Sequence, residues 1–401
     1  MRICIVTHTL VTTDGQGRIN YEIARHLSRR GHELVLVSTT IDPTLAAMPN
    51  VTWHEVPIPK VPTAFLKYAA FARRAKNILK ADTRGFDILQ TNGNIVACPS
   101  DVNVAMFVHS NWIKSKYFMT FKEGGFYALY QNLFTRIHGY WERREFRRTR
   151  RAVALSDLTR NSLLADVHVP ADKIEVIMPG VDVEQFRPGL EGEANPLRGL
   201  IGVGPDAFVI FFAGDLKSKR KNLDLILQAM SRLGPNFHVV CPGGLRNSSY
   251  PAIAESLGLK DRAHFIGHRT DLGVLFRAAN TFAFPSHYDT FALVLTEAMA
   301  TGLPVITAPS VGAASFIEPG VNGILLRDSN DLDGLVAALK KFDTDRDYAK
   351  QLGSAARASA EKWTWQDMAL RYESLYQRIV AEKIAPGVIA SPRGTQAVVG
   401  L

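Results

Sequence analysis

The 401-residue chain is poor in cysteine, in acid and in long apolar runs. Its three cysteines, Cys4, Cys98 and Cys241, are scattered and odd in number, which argues against a disulfide framework or a zinc cluster and for a reducing compartment. No apolar run approaches the ~20 residues that a membrane-spanning helix needs. The N-terminus, MRICIVTHTLV, turns polar quickly and reads as a first strand rather than a signal peptide. Pairs spaced Asp-x-Asp occur at Asp331/Asp333, Asp343/Asp345 and Asp345/Asp347, but in polar, helix-like stretches and not at a strand end. No catalytic metal and no other cofactor is therefore expected. The shortage of acid leaves 47 Lys and Arg against 38 Asp and Glu, a formal charge of +9. That balance favours anionic partners such as nucleotides, phosphorylated glycans or an anionic membrane surface. No nucleic-acid-binding motif accompanies the charge, so nucleic acid is not among the expected partners.

What is present is a two-fold α/β alternation. Strands are expected at Arg2–Thr7, Glu33–Ser38, Phe86–Gln90, Val104–Val108 and Arg151–Leu155, with a helix over Ile19–Arg30. The pattern restarts with strands at Ala207–Ala213, His238–Cys241, His264–Ile266, Thr281–Phe284 and Val305–Thr307, and a helix at Leu223–Leu233. Such alternation implies parallel sheets covered on both faces. The length favours two domains. A first domain over residues 1–187 is followed by a Gly/Pro-rich linker at 188–205 and a second domain at 206–362. A last helix spans 363–384 and a loose tail 385–401.

The densest signal is Phe282–Ile306, FAFPSHYDTFALVLTEAMATGLPVI. A strand ends at Pro285, and a helix starts near Phe291 and stops at Gly302-Leu303-Pro304. Asp289 and Glu297 bracket the helix start, about 12 Å apart along the axis at the helical rise. That separation suits a long ligand with hydroxyls at both ends and an anion between them, met by the free first-turn amides of Phe291, Ala292 and Leu293. A sugar–diphosphate–ribose is such a ligand. Upstream, Lys217, Lys219, Arg220 and Lys221 precede the helix that begins at Leu223. Cations at a helix N-terminus oppose the macrodipole at roughly 0.3–1 kcal/mol each, so an anion there is expected.

Asp289-x7-Glu297 resembles the E-x7-E signature of the retaining family-four (group 1) glycosyltransferases, which have the GT-B fold: two Rossmann-like domains facing across a cleft, with the C-terminal helix crossing back. The resemblance runs from Met1 to about Ile384 and is strongest over Phe208–Leu326. It implies that Asp289 holds the hydroxyls of the transferred sugar, Glu297 those of the ribose, and Arg220 and Lys221 the diphosphate. Asp289, Ala292, Asn222 and Pro179 stand where the family has Glu, Gly, Gly and Asn; Asn222 is read as a helix N-cap. Gly15, Gln16, Gly17 and Arg18 resemble the family's glycine loop that closes over the donor phosphates ahead of a helix at Tyr21–Arg30. A nicotinamide dinucleotide reading of Gly15-x-Gly17 fails, because Asn20 replaces the third glycine and no acid ends the next strand.

His109 is expected at a strand end, positioning the donor sugar or shaping the acceptor site; catalytic roles thus fall to His109, Asp289 and Lys221. Ser156 is read as an acceptor-side or structural residue, and His268 lies in a loop resembling the one beside the nucleobase. Phe126, Leu129, Tyr130, Leu133, Ile137 and Trp141 recur at helical spacing before an arginine cluster, and Lys67, Arg73, Arg74, Lys76 and Lys80 mark a second basic helix. Both are read either as amphipathic helices packed on the sheet or as a surface for anionic lipid or a phosphorylated glycan.

The resemblance implies an enzyme that moves a hexose-type sugar from a nucleotide-diphosphate donor, UDP ahead of GDP, with retention. The acceptor would be a glycan, phosphorylated glycan or glycolipid of envelope polysaccharide or lipopolysaccharide synthesis. The site of action would be cytoplasmic, peripheral on the cytoplasmic face of the membrane. A non-catalytic binding module, an epimerase or a phosphorylase on the same scaffold are the alternatives.

Overall fold

The computed structural model describes residues 1–59, 61–118, 121–190, 193 and 196–384. Two all-parallel sheets face each other, which is the GT-B arrangement. In spatial order the first holds Val51–Glu55, Glu33–Ser38, Arg2–Val6, Ile88–Asn92, Val102–Ala105, Arg151–Ala154 and Ile174–Val176. The second holds Ala263–Phe265, Phe237–Cys241, Phe208–Phe211, Thr281–Phe284, Val305–Thr307 and Ile324–Leu325. Central strands such as FVIF and TFAF are buried at every position, because helices cover both faces of a parallel sheet. In each sheet the strand order reverses beside the first strand of that half, next to Ile88–Asn92 in one and Thr281–Phe284 in the other. Crevices open beyond the carboxyl ends of strands at such reversals. The two crevices confront each other.

The outer strands Val51–Glu55, Ile174–Val176 and Ile324–Leu325 were not expected from sequence. The first is VTWHE, half-exposed and mostly polar, and the other two are only two or three residues long, so none carries an apolar run. Within the 188–205 segment, Pro196–Ile201 is helical and buries Leu197, while Arg198 bonds Gly204 O and Ala207 O at 2.9 and 2.8 Å. The expected tail at 385–401 lies outside the described residues.

The last helix, Trp365–Ile384, lies against Gly15–Arg29 of the first half. Buried Glu373 accepts from His32 Nε2 at 2.9 Å and His26 Nε2 at 3.3 Å, and the Tyr376 hydroxyl donates to Gln90. The chain therefore crosses between the halves twice, and the crossings touch: Val181 N donates to Trp363 O at 3.0 Å. A Cβ at Gly180 would sit 2.3 Å from backbone atoms of Thr364 and Trp365, so only glycine fits that approach.

Candidate active site

The second half supplies charge. The helix Leu293–Ala300 starts two residues later than expected, behind Ala292, whose backbone is left-handed at φ 73°. Asp289, in the turn before it, pairs with the Lys221 ammonium and accepts the Phe291 amide at 3.3 Å. The amides of Ala292 and Leu293 have no partner among the described residues. Burial pushes the Lys221 ammonium below its ordinary value, and Asp289 opposes that push. Arg220 donates to Tyr288 O at 2.8 Å, its guanidinium lying over the Phe107 ring. Lys219–Lys221 forms a single 3₁₀ turn, and Asn222 follows in the left-handed region at φ 60°. The capping expected of Asn222 does not occur: its amide reaches away from the helix, donating to Pro285 O at 2.9 Å and Ser329 O at 2.6 Å. Those bonds hold the basic turn against the end of strand Thr281–Phe284.

The first half supplies a wall of uncharged polar and aromatic groups. Gly15–Arg18 is not a loop but the first turn of helix Gly15–Arg29, capped by Asp14, which accepts the Gly17 amide at 2.6 Å. Gly15 and Gln16 line the cavity. Gly17 does not: a Cβ there would lie 2.8 Å from Asp14 Oδ2 and 2.9 Å from Thr9 Oγ1, so this glycine serves packing. His109 does not end a strand either. The strand stops at Ala105, and His109 opens the short helix His109–Trp112. Glu142 accepts the amides of His109 and Ser110, both at 3.0 Å. Burial lowers the His109 imidazole to about 3, with a smaller push from His138, whose ring lies 5.1 Å away. Burial raises the Glu142 carboxyl to about 7. Sequence reading missed Glu142, His138, Asn92 and His8. Glu142 and His138 stand 33 and 29 positions beyond His109 with no local pattern, and only a helix face turned toward the strand ends marks them.

Of the apolar stripe on that helix, Phe121–Arg148 with a kink at Gly125, Tyr130, Ile137 and Trp141 are half-buried and the rest faces outward. Phe126, Leu129 and Leu133 are 85%, 54% and 58% exposed, whereas Thr135, His138, Glu142 and Glu145 are buried.

The two walls enclose a cavity of about 730 Å³ bounded by Gly15, Asn92, His109, Arg220, Lys221 and Asp289. A second space of about 400 Å³ adjoins it through Gly15, Leu293 and His268, and holds Glu297, Arg18 and Asp182. Asp289 and Glu297 thus stand in neighbouring compartments joined at two helix N-termini. No hydrogen bond engages the Glu297 carboxyl among the described residues, and burial raises it to about 7 despite nearby Arg18. Arg18 ion-pairs Glu22 at 2.9 Å and Asp182 at 3.5 Å. The halves touch directly above Asp289: the Thr290 carbonyl accepts from Ser156 at 2.7 Å and Thr159 at 3.1 Å, and the Thr290 hydroxyl donates to Met106 O at 2.9 Å. Ser156, which also caps helix Asp157–Ser162, is therefore a joint between the halves. Asp331 and Asp345, from the Asp-x-Asp pairs, cap helices.

Two family models match in tandem: Glycosyltransferase Family 4 over residues 13–185 and Glycosyl transferases group 1 over residues 201–359. The chain is a group 1, family 4 glycosyltransferase. Among curated relatives, this glycosyltransferase is 29% identical over 240 residues to a D-inositol 3-phosphate glycosyltransferase of Corynebacterium kroppenstedtii, covering 57% of this chain and 53% of that protein. To the protein of the same name from Stackebrandtia nassauensis it is 32% identical over 234 residues, covering 54% and 52%. The chain thus spans about half the length of the curated relatives it matches. Solved structures share the fold at low identity. WaaG, a glycosyltransferase involved in lipopolysaccharide biosynthesis, superposes with TM-score 0.77 and 20% identity over 96% of this chain and 100% of that one. Sucrose-phosphate synthase of Thermosynechococcus elongatus gives 0.77 and 18% over 95% and 99%. Anabaena Alr3699/HepE, solved with UDP and glucose, gives 0.71 and 18% over 94% and 99%.

Proposed function

We propose that this glycosyltransferase moves a hexose-type sugar, with retention, from a UDP-sugar to a glycan or glycolipid acceptor. One observation carries the reading: Lys221, Arg220, the partnerless amides of Ala292 and Leu293 and the N-terminus of helix Gly15–Arg29 converge on one cavity, with Asp289 within it and Glu297 in the compartment beside it. A diphosphate leaving group needs such donors aimed at it in a dry site, where they stabilise developing charge most strongly. Asp289 would hold the sugar hydroxyls while oriented by Lys221, and Glu297 would take the ribose hydroxyls beside His268 and the base. The joint at Thr290 would exclude water once the halves close, limiting donor hydrolysis. UDP is favoured over GDP by analogy with the HepE complexes, and no metal is assigned to the reaction. Thermal shift with UDP, GDP and NAD at matched millimolar concentration tests the donor, since binding raises stability by RT ln(1 + [L]/Kd). A shift with UDP that persists in EDTA supports the reading; a shift with NAD alone contradicts it.

We also propose that the enzyme works on an anionic membrane at the cytoplasmic face, in envelope polysaccharide or lipopolysaccharide synthesis. Helix Ala64–Ala81 carries Lys67, Arg73, Arg74, Lys76 and Lys80 and no acid. It packs beside helix Phe121–Arg148 through stacked Phe65 and Trp141 rings, and Leu66 adds a 45% exposed side chain to the outward stripe. Basic groups near such a surface contribute about 1 kcal/mol each, and the apolar stripe can enter the headgroup boundary. Among the described residues no helix is long and apolar enough to cross a membrane. Co-sedimentation with phosphatidylglycerol vesicles, lost in Leu129→Glu/Leu133→Glu with melting temperature retained, is the expected outcome; undiminished binding by that variant contradicts this surface.

A further inference from the structure

We propose that the first-half wall of the central cavity receives an uncharged sugar or polyol ring of the acceptor, and that a phosphate on that ring is excluded. The inference rests on the transfer reading above and narrows its acceptor.

The wall begins at Asn92, the last residue of strand Ile88–Asn92, where the chain turns at Gly93. Asn103 Nδ2 donates to Gly93 O at 3.0 Å and pins that turn. Asn92 is 6% exposed and lines the cavity, yet among the described residues neither its Nδ2 nor its Oδ1 has a partner. Buried amides are ordinarily paired, so a cavity-lining side chain whose two buried amide functions are both unpaired marks a place for a ligand. The His109 ring lines the same wall with its buried Nδ1 also unpaired. Next to them Asn94 bonds His138 Nδ1 at 2.7 Å, and Tyr68 packs its edge on His8.

The chemistry of these groups selects the ligand. Asn92 offers one acceptor and two donors, and neutral His109 adds a ring nitrogen that gives or takes according to tautomer. A hydroxyl can both donate and accept and so matches them. A phosphate oxygen at neutral pH only accepts, and would face Asn92 Oδ1 unfavourably. It would also meet no cation here. Among the described residues the first half gives this cavity no lysine or arginine, and its one charged side chain, Asp14, is an acid engaged in capping. Burial keeps His8 and His109 neutral, at about 4 and about 3. The charged group facing His109 from helix Phe121–Arg148 is Glu142, an acid already bonded to backbone amides. Arg220 and Lys221 lie on the opposite wall, held by Tyr288 O and Asp289. A phosphorylated ring would therefore lose hydration without gaining a counter-charge.

The test uses the full chain saturated with UDP. Saturation-transfer NMR and calorimetry compare myo-inositol and methyl α-glucopyranoside with myo-inositol 1-phosphate and glucose 6-phosphate. A neutral probe is expected to bind about tenfold or more tightly than its phosphate. Asn92→Ala should weaken that binding about tenfold while UDP affinity is kept. Asn92→Asp, which keeps the shape but loses the donors, is the second variant should the first fail to fold. Equal or tighter binding of either phosphate overturns the proposal. So does failure of both neutral probes, or unchanged neutral binding in the Asn92 variants. If wild type does not bind UDP, the donor reading has failed instead, and the same probes and criteria apply to the unliganded protein.

Discussion

Helices Leu293–Ala300 and Phe121–Arg148 both shape the cleft, but they do so in opposite ways. The first presents its N-terminus, and its chemistry is local: Asp289, the free amides and Glu297 sit within nine consecutive residues. The second presents a flank. It turns His138 and Glu142 inward to fix His109 and leaves Phe126, Leu129 and Leu133 in solvent. A site built at a helix end is written in one stretch of sequence, whereas a site built on a helix flank depends on what the fold brings opposite it. On the buried polar face of Phe121–Arg148 the Glu142 carboxylate is satisfied by the His109 and Ser110 amides, whereas His138 Nε2 and Glu145 Oε2 have no partner among the described residues.

Substitution at the helix end should do the most damage. Lys221→Ala removes the main counter-charge and should lower kcat/KM by about a hundredfold, in the range seen for loss of one stabilising donor. Steady-state kinetics measures it, and near-wild-type turnover would remove Lys221 from the phosphate site. On the flank, Glu142→Ala leaves the His109 and Ser110 amides without their acceptor and should cost about 2 kcal/mol in denaturant unfolding. Glu142→Gln adds a pH signature. The Glu142 carboxyl is raised from 4.5 to about 7 in the folded state, so the folded protein binds more protons in that window. Its contribution to stability therefore falls as pH rises through the window, and Glu142→Gln should flatten that fall in melts between pH 5 and pH 8.

A smaller effect separates two of the left-handed residues. Asn222 at φ 60° and Ala292 at φ 73° stand where the resemblance implies glycine. Asn222 offsets its backbone cost with two buried hydrogen bonds; Ala292 has no side chain to do so. Ala292→Gly should therefore stabilise the protein by about 1 kcal/mol, and Asn222→Gly should destabilise it by a similar amount. Melting temperatures of the two variants should move in opposite directions.

The same contrast explains what the sequence disclosed. The two parallel sheets were legible because their central strands are continuous apolar runs, and the edge strand VTWHE was not because half of it faces water. Asp289, Lys221, Arg220 and Glu297 were legible from a local pattern, with helix punctuation on either side. The status of Gly17 was not, since its need for glycine comes from Thr9 and Asp14 packed against it. Nor were Asn92 and Glu142, which acquire meaning only when strand Ile88–Asn92 and helix Phe121–Arg148 meet beside His109. The exposed stripe of that helix shows the same limit: periodicity gives the face but not which side the protein occupies.

Calorimetric titration of UDP into wild type, Glu297→Gln and Asp289→Ala tests the division of labour between the two acids along the donor. Glu297→Gln should weaken UDP about tenfold or more, because the ribose loses its carboxylate acceptor. The Glu297 carboxyl stands at about 7, with Arg18, Asp182, His268 and Arg269 around its compartment. Wild-type affinity should therefore rise with pH up to about 7, and Glu297→Gln should lose that rise. Asp289→Ala should bind UDP as tightly as wild type or more tightly, since Lys221 is released toward the diphosphate, while sugar transfer is damaged. Equal loss of UDP affinity in both variants would contradict the assignment.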